Sequence, residues 1–456
     1  MIGDWWLSDL QAELGGELAG SDTAFSGLSI DTRTLQPGDV FLALKGPSFD
    51  GHCFIDQAMA KGAVAAVVSE LQPVNLPQWR VTDTHAALGQ IAALNRKRFK
   101  GPVFAVTGSV GKTSVKEMLA TLLAQKGPVL ATRGNLNNDI GAPLTLLSIQ
   151  AEHLHAVVEL GASAEKEIAY TTALTLPDVA VLNNAMAAHL EGFGSLEGIV
   201  RAKGEIFDGL SENGRAIINL DDPHAEYWLA KNYQRNVLTF SIENPAADVR
   251  ATNLVADAQG CFSFKLSYGD QSGIVTLKVM GRHNVANAAA ATAAVLAAGY
   301  PLSLAVDGLV KFEAVSGRMC PCTGPDDLRV IDDSYNANPG SVKAAIDLLA
   351  SLPGKRLLLL GDMAELGDDA AAQHSDMGNY AAKQGVDRLM AAGALSLHAV
   401  NAFNAAAGTE GGHFETREQM VDAVRALTEP GMTILVKGSR SAGMEQVVAE
   451  LVKGTF

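Results

Sequence analysis

A short glycine-containing stretch, TGSVGKTS, has the residue types and spacing that bind a nucleotide phosphate. It follows an apolar run, Val103 to Val106, that predicts a buried strand, and it leads into a helix-like segment, Ser114 to Leu123. Glycines let backbone N–H groups close around phosphate oxygens, and a helix start adds positive potential. Lys112 can neutralise phosphate charge, and Thr113 can bind Mg²⁺. We therefore predict an ATP-binding loop made of Thr107, Gly108, Ser109, Val110, Gly111, Lys112, Thr113 and Ser114.

This loop is shorter than the common phosphate-binding pattern. The full pattern has a glycine five positions before its second glycine, and this chain has Val106 at that position. An ordinary strand–turn–helix with an isolated lysine is therefore the alternative interpretation. The strand before the loop and the helix after it favour the nucleotide site, because phosphate loops occur in that context.

Length and composition indicate the class of protein. The chain has 456 residues, of which 48% are hydrophobic and 19% are charged, so we expect about three globular domains. The net charge of −15 argues against a nucleic-acid-binding surface. No run of about 18 apolar residues predicts a membrane span, and the start, MIGDWWLSDL, lacks an apolar signal core. We expect a cytoplasmic protein whose four cysteines are reduced thiols rather than zinc ligands.

Three α/β units are predicted along the chain. Residues 1–100 indicate a small α/β domain. Residues 101–314 alternate strands with helices, which favours a mostly parallel sheet with helices on both faces and an antiparallel hairpin from Phe262 to Val279. Residues 315–456 predict a Rossmann-like domain, in which the lack of G-x-G-x-x-G disfavours a dinucleotide site. The basic run from Asn95 to Lys100 is interpreted as a solvated linker face at the first boundary.

Several polar side chains of the central unit follow predicted strands. Glu159 lies at the end of the strand HAVVEL, where a parallel sheet exposes its ligand-binding edge, so it is a candidate Mg²⁺ ligand. His189 follows the end of the next strand, and both a metal ligand and an ordinary polar residue fit that position. The loop NLNNDIG, which holds Asn137 and Asn138, suits either a ligand-facing loop or a surface turn.

Two further positions of the central unit are ambiguous from the residues alone. Asn284 and Asn287 open an Ala-rich helix, where amides can hydrogen-bond a base or a substrate. The alternative is that Asn284 simply caps this helix. Lys203 lies in a helix-like segment and is interpreted on its own as a surface lysine.

Polar loops of the two outer units are also candidate ligand sites. In the first unit, the segment Ser29 to Arg33 and the Lys45-Gly46 turn either grip a pyrophosphate or remain solvated. In the last unit, predicted strands lead into DDSYNANPG at 332–340, GDMAELG at 361–367 and KGSR at 437–440. Because the carboxyl ends of parallel strands meet at one edge of a sheet, we expect these last three loops to lie together.

Taken in order, these motifs resemble the Mur ligase family of peptidoglycan synthesis. The resemblance is carried by TGSVGKTS, NLNNDIG, VELGA, AHLEGFGS, HNVANAAAA and DDSYNANP, which span most of the chain. It implies a three-domain, ATP-dependent amide ligase whose last domain closes over ATP. Within the family, IDTRTLQPGDVFLALKGPSFDGH, DDSYNANP and LGDMAELG favour a member that joins D-alanyl-D-alanine to UDP-N-acetylmuramoyl-tripeptide. The absence of a DNPR-type segment disfavours the diaminopimelate-adding member.

The resemblance also implies roles for individual residues. Catalysis is assigned to Lys112, His189 and Lys203, of which the last matches a carbamylated lysine in several relatives. One Mg²⁺ ion is assigned to Thr113 and Glu159, and a second to His189. Contacts with adenine, phosphate and ribose are assigned to Asn287, Arg318 and Asp333. The UDP end of the substrate is assigned to Ser29, Asp31, Thr32, Arg33, Lys45 and Gly46. The remaining substrate contacts are assigned to Asn137, Asn138, Tyr335, Asn336 and Asn338, with Lys437 and Ser439 as further candidates.

The implied reaction passes through an acyl phosphate. The tripeptide carboxylate attacks the γ-phosphate of ATP, and the amine of the dipeptide then attacks the acyl phosphate. Three other interpretations remain open at this point: a Mur-type ligase that adds a single amino acid, a P-loop kinase that phosphorylates a small hydroxyl substrate, and a nucleotide-gated binding module without chemistry. The sequence leaves open whether the tripeptide ends in lysine or diaminopimelate. We expect a monomer.

Overall fold

The computed structural model describes residues 1–46, 48–186, 190–407 and 411–453, and its first hundred residues contain a small α/β unit. The elements are β1 (Trp5–Trp6), α1 (Leu7–Leu14), β2 (Glu17–Ala19), β3 (Ala24–Phe25), β4 (Gly27–Ser29), β5 (Asp39–Leu42), β6 (Lys45–Gly46), β7 (Phe49–Asp50), α2 (Ile55–Ala60), β8 (Ala65–Val68), β9 (Gln78–Arg80) and α3 (Thr84–Arg98). The main sheet has the order β2-β9-β8-β5-β4 and is parallel except for the β2–β9 pair.

The central unit is built on one long sheet. Its elements are β10 (Val103–Thr107), α4 (Lys112–Ala124), β11 (Val129–Ala131), α5 (Gly141–Leu147), β12 (His155–Glu159), α6 (Glu167–Thr175), β13 (Val179–Leu182), α7 (Leu190–Phe193), α8 (Leu196–Gly204), β14 (Arg215–Asn219), α9 (Ala225–Lys231), β15 (Asn236–Ser241), β16 (Val249–Ala256), β17 (Cys261–Tyr268), β18 (Gln271–Met280), α10 (Arg282–Ala297) and α11 (Leu302–Leu309). The strand order is β11-β12-β10-β13-β14-β15-β16-β17-β18. Pairing is parallel from β11 to β16 and antiparallel from β16 to β18, which confirms the predicted parallel sheet and its antiparallel hairpin.

The C-terminal unit has a second doubly wound sheet. Its elements are β19 (Cys320–Thr323), β20 (Arg329–Asp333), α12 (Pro339–Ser351), β21 (Arg356–Gly361), α13 (Ala370–Lys383), β22 (Arg388–Ala392), α14 (Ser396–Ala407), β23 (Gly412–Phe414), α15 (Arg417–Arg425), β24 (Thr433–Lys437) and α16 (Glu445–Lys453). The order is β19-β20-β24-β21-β22-β23, and all pairs except β19–β20 are parallel. The predicted Rossmann-like alternation of strands and helices is confirmed.

Burial explains why the central strands are continuously apolar. All five residues of β10 are buried, because helices cover both faces of the sheet. One core packs α3, α5, α6 and α8 on one face, and a second core packs α4, α10 and α11 on the other. Within the described residues, no helix has the length and apolar character needed to cross a membrane.

The interpretation of the basic run at 95–100 as a solvated linker face holds only for Lys97, Arg98 and Lys100, which are exposed. Helix α3 continues to Arg98 and packs on the central unit, so both Asn95 and Arg96 are buried. The Asn95 amide donates to two carbonyls at the end of α5, at 2.8 and 3.1 Å. The Arg96 guanidinium donates to two carbonyls at the end of α6, both at 2.8 Å. A charged run is usually exposed, but here a helix from the first unit is part of the core of the second.

Candidate active site

A cavity of about 750 Å³ lies between the central and C-terminal units. Its walls come from residues that follow β10, β12, β13 and β14 in the central sheet, and from residues that follow β20 and β24 in the C-terminal sheet. These are the carboxyl ends of parallel strands, where open α/β sheets bind ligands. Among the described residues, none of the first hundred contributes to its walls.

The predicted ATP-binding loop lines this cavity from Ser109 to Ser114. The predicted order of strand, loop and helix is present: β10 ends at Thr107, one residue after the predicted strand, and α4 begins at Lys112, two residues before the predicted helix. Gly111 has a φ of +80°, and a Cβ at this position would lie 2.5 Å from side-chain atoms of both Asn183 and Asn287. Only glycine fits this backbone conformation and this space. The glycine therefore lets the loop turn against the neighbouring strand ends.

Lys112 lies folded against its own loop. Its Nζ donates to the Gly108 carbonyl at 2.8 Å and to the Ser109 carbonyl at 3.4 Å. Burial lowers the pKa of Lys112, while the charge of Glu159 raises it and the charge of Arg318 lowers it. A buried ammonium group beside a second cation favours an anionic ligand such as a phosphate.

Thr113 and Glu159 form an oxygen-rich corner of the cavity. The buried Glu159 carboxylate accepts hydrogen bonds from the Thr113 hydroxyl at 2.9 Å and from the Asn137 amide at 2.8 Å. Mg²⁺ prefers carboxylate and hydroxyl oxygens, so this donor set fits the predicted ion. Among the described residues, no three His, Cys, Asp or Glu side chains cluster as a metal site. The predicted ligand His189 lies outside the described residues.

Two asparagines after β13 hold the phosphate loop, although the sequence pattern assigned them no role. Asn184 accepts from the Val110 N–H at 2.9 Å and donates to the Val110 carbonyl at 3.1 Å. Asn183 donates to the same carbonyl at 3.1 Å and to Asn287 at 3.0 Å. Strand β13 pairs with β10, so its end necessarily lies beside the loop. Sheet order is thus the signal that would have found them.

The start of α10 contributes two buried amides to the cavity. Gly281 occupies the N-cap position, and the Asn284 amide donates back to the Met280 carbonyl at 2.8 Å, so the interpretation of Asn284 as the cap is wrong. Asn287 donates to Asn284 at 3.0 Å and accepts from Asn183. This chain of amides links α10 to the phosphate loop and places both side chains in the cavity wall.

Arg318 joins the two sides of the cavity. Its guanidinium donates to the Thr113 hydroxyl at 3.0 Å and lies 4.3 Å from the centre of the Tyr335 ring. The guanidinium of Arg440 lies 5.7 Å from the same ring. The backbone beside Arg318 belongs to the C-terminal unit, because the Gly317 N–H donates to a carboxylate of β20 at 3.0 Å. Arg318 is thus placed to contact a phosphate held by the loop.

The C-terminal wall contains a buried ion pair. Asp333 and Lys437 lie at the ends of the adjacent strands β20 and β24, and the ammonium donates to the carboxylate. Lys437 also donates to the Asn336 carbonyl at 3.0 Å. Asn338 caps α12 by accepting from the Ser341 N–H at 2.9 Å. A carboxylate has about four lone-pair sites, so Asp333 retains acceptor capacity for a ribose hydroxyl.

Lys203 is buried, and its interpretation as a surface lysine is wrong. It is 2% exposed, on the same face of α8 as Ile199, and its Nζ lies 5.3 Å from the centre of the Phe193 ring. Burial, followed by the charge of Lys112, lowers the pKa of Lys203 to about 7. A lysine one turn after a buried isoleucine lies on the inward stripe of the helix.

The residues predicted to bind UDP lie in the first unit, apart from the cavity. Asp31 forms an ion pair with Arg33 through contacts of 2.7 to 3.0 Å. The Thr32 hydroxyl donates to the Gln57 side chain at 2.9 Å, and Lys45 pairs with a carboxylate across the β6–β7 hairpin. Each of these side chains has a hydrogen-bond or ion-pair partner within the first unit. Their contact with UDP stays a prediction.

The fold and the cavity together define a P-loop nucleotide-binding α/β protein. Profiles of one family match the three units in turn: the Mur ligase family, catalytic domain, at residues 24–96; the Mur ligase middle domain at 106–295; and the Mur ligase, glutamate ligase domain, at 317–440. The chain belongs to the Mur ligase family. The resemblance indicated by the motifs is thereby confirmed.

Curated relatives match this chain over nearly its full length. UDP-N-acetylmuramoyl-tripeptide–D-alanyl-D-alanine ligase of Escherichia coli (strain K12) is 46% identical over 447 residues, covering 98% of each chain. The enzyme of that name from Haemophilus influenzae is 40% identical, covering 97% of this chain and 96% of the other. Among solved structures, MurF from Acinetobacter baumannii is 36% identical, with a TM-score of 0.93 and 99% coverage of both chains. MurF ligase from Thermotoga maritima in complex with ADP is 28% identical, with a TM-score of 0.83 and coverage of 94% and 97%.

Proposed function

We propose that this chain is an ATP-dependent ligase that adds D-alanyl-D-alanine to UDP-N-acetylmuramoyl-tripeptide and releases ADP and phosphate. The observation that carries the proposal is that two relatives of that name, 46% and 40% identical, match 98% and 97% of this chain. The product is the UDP-linked pentapeptide precursor of peptidoglycan. Because the reaction consumes ATP and a UDP-linked precursor, we place it in the cytoplasm, and we expect a monomer.

We assign the three substrates to three domains, with limits at 1–100, 101–314 and 315–456. The first domain binds the UDP end, where Arg33 and Lys45 supply cations for the pyrophosphate. The central domain binds ATP on its phosphate loop. The dipeptide enters from the third domain, whose Tyr335, Asn336 and Asn338 line the cavity opposite the loop. This arrangement brings the reacting groups to the space between the two larger sheets.

The first step joins two anions, so the cleft must offset their repulsion. The tripeptide carboxylate attacks the γ-phosphorus, the bond to the bridging oxygen of ADP breaks, and an acyl phosphate forms. Lys112 and Arg318 place two cations at the loop, and the start of α4 adds backbone N–H donors. In the second step, the neutral amine of the dipeptide attacks the acyl carbon and forms the N–C bond. The nitrogen releases one proton to solvent, and phosphate leaves from the tetrahedral intermediate as its C–O bond breaks.

We propose that Thr113 and Glu159 hold one Mg²⁺ ion and that His189 serves a second. Bound magnesium supplies neutralisation of phosphate charge. The Thr113 hydroxyl donates to the Glu159 carboxylate at 2.9 Å, and Arg318 donates to the same hydroxyl. A cation held at Thr113 and Glu159 would therefore lie close to the Arg318 guanidinium and to a phosphate bound by the loop. Asn287 then faces adenine, and Asp333 faces the ribose.

We propose that Lys203 carries a carbamate in the active enzyme. A pKa near 7 leaves about half of the amine neutral at neutral pH. A neutral amine adds to CO2, forming an N–C bond and losing one proton, which gives an anionic carbamate. The modification would replace a buried cation that repels Lys112 with an anion that attracts it. It would thereby help to fix Lys112 at the phosphate loop.

An assay of ADP and phosphate release tests the ligase function. The purified chain is incubated with ATP, Mg²⁺ and UDP-N-acetylmuramoyl-tripeptide, with or without D-alanyl-D-alanine. We expect sustained release only when both the tripeptide and the dipeptide are present, and a product heavier than the tripeptide substrate by one dipeptide less water. Tripeptides ending in lysine and in diaminopimelate, assayed in parallel, identify the accepted third residue.

Other outcomes identify other functions. Release with a single amino acid in place of the dipeptide identifies a different Mur-type ligase. A stable phosphorylated product without added amine identifies a kinase. Nucleotide binding without turnover under every substrate combination identifies a binding module. Each of these results would contradict the proposed reaction.

A further inference from the structure

Lys116 is a buried charged side chain that takes no part in the steps above. It lies on α4, one turn after Thr113, and is 1% exposed. Burying an ammonium group is unfavourable unless it is paired and hydrogen-bonded. The neighbouring residues of α4 that point inward, such as Val115 and Leu119, are apolar. The reason for a lysine at this position therefore lies in what its ammonium contacts.

The ammonium of Lys116 holds the end of strand β11. Its Nζ donates to the Thr132 carbonyl at 2.7 Å and to the Glu117 carboxylate at 2.6 Å. Thr132 lies one residue beyond β11, and its own N–H donates to the Val157 carbonyl of β12 at 3.0 Å. A buried carbonyl at the end of a strand needs a donor, and Lys116 supplies it. The lysine thus ties helix α4 to the edge of the central sheet.

Thr132 extends this anchor to the predicted Mg²⁺ ligand. Its buried hydroxyl accepts the backbone N–H of Glu159 at 2.9 Å. The Glu159 carboxylate in turn accepts from Thr113 at 2.9 Å. The contacts therefore form a closed ring that leaves α4 at Lys116 and returns to α4 at Thr113, one turn earlier.

The same anchor also fixes a second contact of Glu159. The loop that starts after Thr132 carries Asn137, whose amide donates to the Glu159 carboxylate at 2.8 Å. A shift at the end of β11 would move both the hydroxyl that holds the Glu159 backbone and the amide that holds its carboxylate. Partners of a metal ligand commonly set its direction in this way.

We propose that Lys116 is a positioning residue that acts through Thr132 to direct the Glu159 carboxylate toward the metal ion. The proposal rests on the proposed function only in that a divalent cation binds at Thr113 and Glu159. Among the described residues, Lys116 does not line the cavity. Its loss releases the end of β11, so Glu159 loses its fixed direction and the cation binds more weakly.

Binding of Mn²⁺ in the presence of the ATP analogue AMP-PCP, followed by electron paramagnetic resonance of free Mn²⁺, tests the proposal without turnover. Lys116→Met removes the ammonium, and Thr132→Val removes the hydroxyl at nearly constant volume. Thr132→Ser retains the hydroxyl, and Lys126→Met changes an exposed lysine just beyond α4. We expect the Kd for Mn²⁺ to rise about tenfold in Lys116→Met and Thr132→Val and to stay unchanged in the two controls.

The double variant Lys116→Met/Thr132→Val tests the route. If Lys116 acts through Thr132, the Kd for Mn²⁺ of the double variant is no higher than the higher of the two single-variant Kd values. Additive losses would overturn the route through Thr132, and a Kd within about twofold of wild type in both single variants would overturn the proposal. Thermal unfolding verifies that each variant is folded. If Lys116→Met does not fold, Lys116→Gln replaces it; its neutral donor is one bond closer to the backbone and reaches the Thr132 carbonyl less well, so the Kd for Mn²⁺ should still rise, and an unchanged Kd would overturn the proposal. If the Kd for Mn²⁺ rises as expected in the variants but the wild type shows no ligase activity, the proposed function is contradicted and the positioning role of Lys116 is not.

Discussion

The central unit meets its two neighbours in different ways. Toward the N-terminal unit, one apolar core is continuous from Trp5 and Leu88 to Leu146 and Ile168. Toward the C-terminal unit, the two sheets face a cavity of about 750 Å³ whose walls include charged side chains such as Lys112, Glu159 and Asp333. Adjacent units of one chain can therefore be joined either through a shared apolar core or around a cavity. Catalysis is expected at the second kind of junction, where parts can move.

Buried hydrogen bonds fasten the first junction. The Asn95 amide donates to two carbonyls of the central unit, and its oxygen accepts the Ile2 N–H at 2.8 Å. The Arg96 guanidinium donates to two carbonyls at the end of α6, both at 2.8 Å. These contacts replace water with specific partners on both sides. We therefore expect changes here to affect the stability of the fold more than the chemistry.

Direct contacts across the second junction are fewer and lie at its margins. Met280 and Cys261 of the central hairpin pack against the C-terminal core. A Cβ at Gly340 would lie 2.8 Å from the Met186 sulfur. Across the cavity itself, Arg318 reaches the phosphate loop. We expect changes here to affect chemistry and movement more than stability.

Lys112→Ala gives the largest expected effect at the second junction. Loss of a cation that stabilises the transferring phosphoryl group should lower kcat/KM by about a thousandfold, or about 4 kcal/mol of barrier. The unfolding temperature should stay close to that of the wild type. Steady-state kinetics and calorimetry measure the two effects, with the exposed Lys126→Ala as control. Near-normal kcat at saturating ATP would remove Lys112 from its assigned role.

Asn95→Ala, at the first junction, should lower stability while leaving activity nearly unchanged, which is the reverse of the effect expected for Lys112→Ala. The change removes three hydrogen bonds, two of them buried and one partly buried, and leaves their partners unsatisfied. We expect unfolding free energy to fall by about 3 kcal/mol, while kcat under native conditions stays within about twofold of wild type. Chemical denaturation measures the loss, and Asn401→Ala, on the exposed face of α14, serves as control. A loss of activity without a loss of stability would show that the two junctions are not functionally distinct.

The third prediction concerns the buried charge of Lys203, which should make the free energy of unfolding depend on pH. Its pKa is about 7 in the folded chain and 10.5 in a solvated lysine. At pH 6 both states are protonated, so the unfavourable burial of the charge is fully present. As pH rises above 7, the folded state loses its proton before the unfolded state, and this destabilisation is relieved.

The expected result follows from that sign. In CO2-free buffer, the stability of Lys203→Met relative to wild type should fall by about 2 to 3 kcal/mol between pH 6 and pH 9. Lys126→Met, at an exposed site, should show no such change. Denaturant titrations at both pH values measure the difference. A relative stability that is constant with pH would mean that the Lys203 amine titrates as in water.

The sequence predicted features that depend on local order along the chain. The phosphate loop and Glu159 were found because both lie at the carboxyl end of an apolar strand. The carboxyl ends of parallel strands form the edge of the sheet at which ligands bind. Asn183 and Asn184 were missed because their role depends on β13 pairing with β10, which no local pattern states.

Burial of charged residues was the other failure of prediction. Arg96 and Lys203 were predicted to be exposed and are buried, and the buried Lys116 was not singled out; each lies on a helix whose sequence permits an exposed lysine or arginine. Their burial is decided by packing against elements far along the chain, such as the end of α6 for Arg96 and the end of β11 for Lys116. Hydrophobic periodicity indicates which face of a helix is apolar, but it does not indicate which polar side chains will donate hydrogen bonds to carbonyls that are distant in the sequence.

The smallest expected effect is a change of shape at the second junction. If the C-terminal unit moves as a rigid body about the segment near Gly317, ATP analogue and tripeptide together should draw it over the phosphate loop. The radius of gyration in solution scattering should then decrease toward the value of about 22 Å expected for a compact chain of this length. Lys112→Ala should not show the decrease, because it lacks the cation that joins the phosphates to the loop. Scattering curves that do not change on adding both ligands to the wild type would contradict the movement, and the two junctions would then differ in their contacts but not in their mobility.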